Sequence, residues 1–551
     1  MKKISIFFAA LVGALTSLPV IALSLAGAWL LGLPPFPLDL FDWMARTLPG
    51  VVIATVINAM ITIIGVFHLG PTASTAKLGE QIMGLITFAL IGAIFGAILV
   101  LLGRRRAQKL TNAGMLGGAL LALAMALIEA SLGFKAGLLV TVIWLGILFP
   151  TWGAVLGWLL AKPAAVTQLP ATQGPSEPVS SLSRREFLYL GASSAAAVLV
   201  SAISLEALRK DIHVAGGASS SSASSSAPDP ESAIISEITG PTNLPSQSAL
   251  AARTPPVPGV RPELTANANF YRIDINAFPP VINADKWHLE LTGLVNKPLS
   301  LSLENIKARP AVSQALTMQC ISNLVGGDLT STTIWTGVPF KDILAEAGLQ
   351  PGVTGIYIEG VDGFYEFILL ADAMDPRTLL VYEMNGADLP AEHGYPLRIY
   401  IPNRYGMKMP KWITRMEAVS EERNGYWVDR GWDRDAIAKT TSVVDTVAVD
   451  SLDSGTNMIP VGGIAWAGDR GISKVEVQVD EGPWAPALLR QPPLSPLCWV
   501  QWRYDWPAQS GKHRFSVRAY DGTGALQETD SNSPEWSGAT GIDSMDAVVG
   551  N

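Results

Sequence analysis

The sequence predicts a multidomain chain: an all-α multi-span membrane section, then a mixed α+β domain, then a small β-sandwich. Three observations predict it. Apolar residues make up 49% of the 551 residues but crowd into the first third, as in a membrane section followed by a soluble one. A Ser- and Pro-rich stretch that cannot build a core, GGASSSSASSSAPDP at 216–230, separates the two. Beyond it, apolar residues fall into short alternating runs broken by turn residues. The net charge is -8, and no basic stripe marks the second half, so a nucleic-acid partner is not expected. Two distant cysteines, Cys320 and Cys498, form no disulfide framework.

The first section, 1–162, holds five apolar runs at 4–31, 51–70, 81–102, 114–132 and 137–161. Each approaches the roughly 20 residues that a helix needs to cross hydrocarbon. Gly92, Gly96, Gly114 and Gly118 allow close helix contact in lipid. Arg104, Arg105, Arg106 and Lys109 predict a cytoplasmic loop. Lys162, Arg184 and Arg185 agree with it across an even number of spans. Lys2 and Lys3 pull the N-terminus the other way, so its side stays open. His68 is the section's one histidine, and no CxxCH occurs; no haem is expected. Glu129 is the main ionisable residue inside a run, placed near a helix end where it would reach the interface. With so few buried polar groups, this section reads as an anchor or quinone-side docking surface rather than a transporter.

At 183–206, Ser183-Arg184-Arg185-Glu186-Phe187-Leu188 precedes an apolar run. This resembles a twin-arginine export signal; an ordinary sixth helix is the plain alternative. Both leave the rest of the chain on the extracytoplasmic side. A flexible linker follows over 207–262.

The mixed domain is expected over 263–440. Strands are predicted at 287–291, 355–359 and 397–401, and an amphipathic helix at 340–347. No GxGxxG and no phosphate loop occur, so no nucleotide cofactor is indicated. Cys320 lies in Thr317-Met318-Gln319-Cys320-Ile321-Ser322-Asn323. A thiolate is a soft ligand for a redox metal, whereas a lone cysteine is commonly a small buried hydrophobe.

Several segments, in order, carry a resemblance. They are Asn269-Phe270-Tyr271-Arg272, Cys320-Ile321-Ser322-Asn323, Trp335-Thr336-Gly337-Val338, Met384-Asn385-Gly386, His393-Gly394-Tyr395-Pro396-Leu397-Arg398, and Tyr405-Gly406 with Lys411-Trp412. Together they are similar to the sulfite oxidase family of molybdenum enzymes. The resemblance implies a molybdenum-molybdopterin cofactor with the metal on Cys320. It implies pterin contacts from Tyr271, Arg272, Asn323 and Asp362, and a grip on pterin and phosphate from His393 and Arg398. It implies a phosphate-binding segment at Met409, Pro410 and Lys411. Arginine, lysine and backbone N–H groups suit a phosphate. An active-site tyrosine is expected at Tyr365, with Phe364 as the competing position. One departure stands out: the family's substrate-gripping arginine after the Cys-x-x-Asn stretch is here Leu324, followed by Val325. Arg404 and Arg430 are the arginines considered as substitutes.

The last section, 441–551, alternates Val475, Val477 and Val479 with polar residues and carries an Asp521-Gly522 turn, as a β-sandwich would. It resembles the family's immunoglobulin-like dimerisation domain, which implies a homodimer. Cys498 reads as a packed core thiol. The expected function is sulfite oxidase-like oxygen-atom transfer by a membrane-anchored enzyme. Its substrate would be a small oxyanion, and its electrons would pass to a separate cytochrome, a quinone or a partner subunit. Two alternatives stand beside it: a sulfoxide reductase of the same fold, and a non-enzymatic membrane receptor with a sandwich domain.

Overall fold

The computed structural model describes residues 5–67, 69–102, 107–133, 136–161, 184–215, 234–235, 238, 241–451 and 457–550. His68, the arginines at 104–106 and the stretch 216–230 lie outside the described residues. The chain divides into two compact units. One comprises Met1–Leu48, Ala76–Ile212 and Ile275–Phe278; the other comprises Pro49–Thr75, His213–Asp274 and Pro279–Asn551.

The long helices are α1 (Ile6–Leu31), α2 (Phe36–Thr47), α3 (Gly50–Phe67), α4 (Thr72–Leu102), α5 (Ala107–Ser131), α6 (Leu138–Ala161) and α7 (Arg184–Ala215). Among the described residues, five stretches are long and apolar enough to cross a membrane: Ile6–Leu31, Thr72–Leu101, Lys109–Ser131, Leu138–Ala161 and Leu188–Leu208. The pair Phe36–Thr47 and Gly50–Ile64 passes the same test together but is bent by 120°. Small residues set the helix contacts, as expected. At Gly114 a Cβ would run into the backbone of Gly153 on α6, so α5 and α6 meet backbone to backbone. Phe149 packs edge to face with Phe36, Phe88 and Trp152 in the first unit. Glu129, expected to reach the interface, is fully buried.

Two segments depart from the expected boundaries. The strap Ile275–Phe278, read as part of the mixed domain, packs in the helical unit. There Asp42 accepts the Ala277 N–H (2.9 Å), Lys77 donates to the Asn276 carbonyl (3.0 Å) and Gln81 donates to that of Ala277 (3.2 Å). Helix α3, grouped by hydropathy with the membrane runs, belongs to the second unit. Its Ile61 is buried in that unit's main apolar cluster, and Ile57 packs against it.

The second unit begins with two interlocking sheets. Their strands are β1 (His288–Gly293), β2 (Leu299–Ser302), β3 (Val312–Gln319), β4 (Thr330–Pro339), β5 (Gly355–Gly360), β6 (Tyr365–Leu369), β7 (Leu379–Met384), β8 (Ala387–Asp388), β9 (Arg398–Tyr400) and β10 (Ile413–Val419). One sheet runs β2-β1-β10-β5-β6, with β1 and β10 parallel; the other runs β3-β4-β7-β8, with β9 paired to β7. The predicted helix forms over Phe340–Ala347. Strand β3 pairs antiparallel with β4 from Val312↔Gly337 to Gln319↔Thr330. That register leaves residues 320–329 as the connecting loop and puts Cys320 at its root.

The C-terminal strands are β11 (Thr441–Val447), β12 (Met458–Trp466), β13 (Ile472–Val479), β14 (Ala485–Pro486), β15 (Leu488–Leu489), β16 (Val500–Pro507), β17 (Gly511–Asp521) and β18 (Asp543–Val549). They form two sheets, β11-β12-β16-β15 and β14-β13-β17-β18. Alternation along the strands turns Val461 and Trp502 of one sheet and Val477, Phe515 and Val517 of the other into a shared core. Cys498 is buried and lies 3.5 Å from the Ser495 hydroxyl. Burial pushes its thiol up to about 12.

Candidate active site

The loop 320–329 is braced from within. Cys320 N–H donates to the Leu329 carbonyl (2.9 Å), Asn323 N–H donates to the Cys320 carbonyl (3.1 Å), and Asn323 Oδ1 accepts the Leu329 N–H (2.9 Å). Asn323 thus shapes the loop that presents the thiol. Cys320 Sγ lies 3.0 Å from Ser322 Oγ, and the residue is 8% exposed. Burial raises its thiol above the ordinary value, against the Ser322 hydrogen bond. In these surroundings Cys320 needs a cation beside it to become a thiolate.

Tyr271 stacks on Phe270 at 5.4 Å, and its N–H donates to Ser331 Oγ on β4 (3.2 Å). Its hydroxyl is pushed well up by burial and then by Cys320, while Arg398 opposes the shift. The tyrosine is therefore within electrostatic reach of both residues.

Arg398 opens β9. Its Nη1 donates to the His393 carbonyl (3.0 Å), its Nη2 lies 3.5 Å from Met318 Sδ, and its guanidinium sits 5.0 Å over Trp335. Burial draws it down to about 10. His393 Nε2 is 3.3 Å from the Asn267 carbonyl. Burial, then Lys411 and Arg398, hold His393 well below its ordinary value. Lys411 Nζ donates to Asp274 (3.2 Å) and to the Glu392 carbonyl (2.9 Å), while Arg272 pairs with Asp274 at 2.7 Å. Burial draws Lys411 down to about 8; Asp274 opposes this, and Arg272 and Arg398 add to it. Gly394 sits at φ +115° where a Cβ would lie 3.1 Å from the Arg398 side chain and 3.2 Å from that of Lys411. Only glycine fits between the two cations.

The other expected contacts are brought alongside. Met409 N–H donates to the Gly406 carbonyl (3.1 Å), and the Pro410 carbonyl accepts the Ile399 N–H (3.2 Å). Both hold the backbone of the segment that delivers Lys411. Asp362 caps the β5–β6 turn by accepting the Phe364 N–H (3.1 Å), and Val361 N–H donates to the Trp412 carbonyl (2.9 Å). That turn therefore lies beside Lys411.

Tyr365 is not brought to Cys320. Its hydroxyl donates to Asp429 (2.7 Å), and its ring joins Tyr357 and Tyr426. Among the described residues, no hydrogen bond or ring contact joins it to the 320–329 loop. Phe364 faces the same cluster, packing on Tyr426 at 5.5 Å. The β5–β6 turn and the start of β6 give both side chains to the Tyr426 cluster. Among the described residues, Tyr271 and Tyr405 are the tyrosines within electrostatic reach of Cys320. Of the two substitute arginines, Arg404 is bound to Asp372 (3.0 Å) and to the Asp435 carbonyl (2.8 Å), and Arg430 lies over the Tyr426 ring at 3.5 Å. Leu324 and Val325 line a cleft with Asn323 and Thr330, facing Val443 and Ile464.

Sequence reasoning gave no role to Asp274, which pairs with both Arg272 and Lys411. The signal was an acid two residues after Arg272. Nor did it assign Trp335 beneath Arg398.

The residues fit a phosphorylated pterin carrying a metal. Lys411 and His393 are both pushed toward their neutral forms, so the pocket favours an added anion. Arg398 Nε and Trp335 Nε1 are buried without a hydrogen-bond partner, and buried donors are ordinarily satisfied. Among the described residues there is no group of three or more His, Cys, Asp or Glu able to hold a metal ion. A lone thiolate at Cys320 suits a metal held otherwise by its organic cofactor.

Residues 276–427 match the family model described as "oxidoreductase molybdopterin binding domain". The chain is 28% identical to mitochondrial sulfite oxidase of Homo sapiens across 53% of this chain and 62% of that protein. It is 29% identical to an uncharacterized oxidoreductase of Bacillus subtilis (strain 168), across 31% of this chain and 85% of that protein. Among solved structures, the sulfane dehydrogenase SoxCD from Paracoccus pantotrophus aligns with TM-score 0.46 and 19% identity over 60% of this chain and 93% of that one. The chain thus spans about three fifths of the length of the sulfite oxidases it matches.

Fold, site and matches together define an enzyme, an oxidoreductase built on a molybdopterin-binding domain. Within that class the chain is similar to the sulfite oxidases, and residues 276–427 carry the molybdopterin-binding domain.

Proposed function

We propose that this is a membrane-anchored molybdenum oxidoreductase that oxidises a small sulfur oxyanion by oxygen-atom transfer, with Cys320 as the metal's protein ligand. The observation that carries this reading is the electrostatic linkage of Cys320, Tyr271, Arg398, His393, Lys411 and Arg272 in one mostly buried, cation-rich cluster. When bound, the cofactor supplies two-electron oxygen-atom transfer chemistry. Water gives the oxygen atom, and two electrons and two protons leave toward an external acceptor, a cytochrome or a quinone.

The chain's own residues do the holding and tuning. Arg398, Lys411 and Arg272 take the phosphate end, with His393 and the backbone of Met409 and Pro410 beside them. Asp274 keeps Arg272 and Lys411 in place. Tyr271 and Asp362 meet the pterin. Ser322 hydrogen-bonds the thiolate, which steadies its orientation. Asn323 fixes the loop around it. The sandwich is an immunoglobulin-like domain that pairs two copies. The apolar helices anchor the chain, and the twin-arginine-like segment leaves the catalytic unit on the extracytoplasmic side.

A second reading, sulfoxide reduction, is favoured by one observation: the cleft beside Cys320 presents Leu324 and Val325 where an oxyanion would need a cation. The two readings separate in an assay of the purified full chain. Sulfite with ferricyanide should turn over. Activity only with a sulfoxide and a reduced dye would overturn the oxidase reading.

A further inference from the structure

Helix α3 runs GVVIATVINAMITIIGVF and carries no charged residue. One face serves the second unit: Ile53, Ala54, Ile61 and Ile64 are buried, at i, i+1, i+8 and i+11. The opposite face is left open, with Val51, Val56, Ile63, Val66 and Phe67 between 42% and 69% exposed. A helix packed on a soluble domain ordinarily turns charged and polar residues outward. Here the outward face carries no charge and is mostly aliphatic, with Thr55 and Thr62 as its exposed polar side chains.

The chain itself limits what can cover that face. Two residues separate α3 from α2, and α2 with Gly50–Ile64 is long and apolar enough to enter a membrane as a bent pair. Four residues separate Phe67 from α4, whose Thr72–Leu101 stretch is a candidate span. Five Cα steps reach no further than roughly 18 Å. The C-terminal end of α3 is therefore held near the mouth of a membrane-crossing helix. We infer that the open face of α3 lies in the lipid interface and seats the catalytic unit on the bilayer surface, an inference that rests on the membrane-anchored reading above.

The consequence reaches the site. Thr72 N–H donates to Asp328 in the loop that Cys320 opens (2.8 Å). Asn58 hydrogen-bonds Glu535, and Gly50 lies against the backbone of Arg430 with no room for a side chain. The segment thus pins the Cys320 loop at one end and the residue 430 turn at the other. Both lie within about one helix diameter, roughly 10 Å, of the lipid. An electron acceptor resident in the membrane would meet the enzyme at this edge.

The test uses the full chain in phospholipid nanodiscs, with nitroxide labels at Val56→Cys and Ile63→Cys and a water-facing reference at Lys512→Cys. Collision with molecular oxygen should exceed collision with a water-soluble nickel complex at both α3 positions, and the order should reverse at the reference. Nickel access equal to the reference would overturn the inference, as would exclusion of both quenchers, which would mean that protein covers the face. Alkaline extraction separates the two levels. A chain released from membranes would sink the anchoring reading itself; a retained chain with wet α3 labels would sink the α3 inference alone.

Discussion

Cys320 lies where the chain alone makes it a poor thiolate: buried, raised, and steadied by one hydroxyl at 3.0 Å. Replacing that hydroxyl, Ser322→Ala, should lower turnover by about tenfold, since outer partners of metal ligands commonly carry 10–100-fold effects. Molybdenum content should hold. A variant that loses the metal entirely would make Ser322 part of the fold instead. Arg398→Lys should weaken cofactor retention by roughly 1.5–3 kcal/mol, about ten- to 150-fold, because lysine cannot reproduce the fork that reaches the His393 carbonyl. Titrating released pterin against dilution would measure it.

Lys411 gives a prediction in pH. Its folded value, about 8, lies below the ordinary 10.5. Between those values the unfolded chain binds more protons, so stability of the cofactor-free protein should rise with pH across about 8 to 10.5. Lys411→Met should abolish that rise. Bound cofactor should abolish it too, because a phosphate beside Lys411 raises its pKa. Urea melts at three pH values read both outcomes.

Among the elements, β1, β5 and the helix Phe340–Ala347 were legible because each buries one face and shows it as alternation or helical spacing. The Cys320 loop was legible as a motif, although its root depends on the β3–β4 register, a tertiary fact. Helix α3 was legible as an apolar helix but not in its place in the second unit, since a hydropathy window cannot distinguish apolar contact with lipid from apolar contact with a protein core. Tyr365 was misplaced for a related reason. Nearness in sequence to Asp362 says nothing of which way strand β6 turns its side chains, and the structure gives this one to Asp429. The turn after β7 makes a further test. Asn385 holds φ 52°, accepts the Ile334 N–H (3.0 Å) and donates to Asn267 (2.8 Å). Asn385→Ala should cost roughly 1–3 kcal/mol in chemical denaturation, through strain and an orphaned donor. A loss under ~0.5 kcal/mol would show that the turn relaxes freely.

At the scale of the whole molecule, composition announced an apolar helical section followed by a sheet-rich one, and both are present as compact units. The two exchanged segments, Pro49–Thr75 and Ile275–Phe278, could not be read in advance, because each crosses a boundary that composition draws sharply. The account stands or falls on whether a metal sits at position 320. X-ray absorption at the molybdenum edge, on the purified full chain and on Cys320→Ser, asks this directly. The account predicts molybdenum in the native protein and, in any metal the variant retains, one fewer sulfur neighbour and one more light-atom neighbour. Identical sulfur shells in the two proteins, or native protein free of molybdenum, would contradict it.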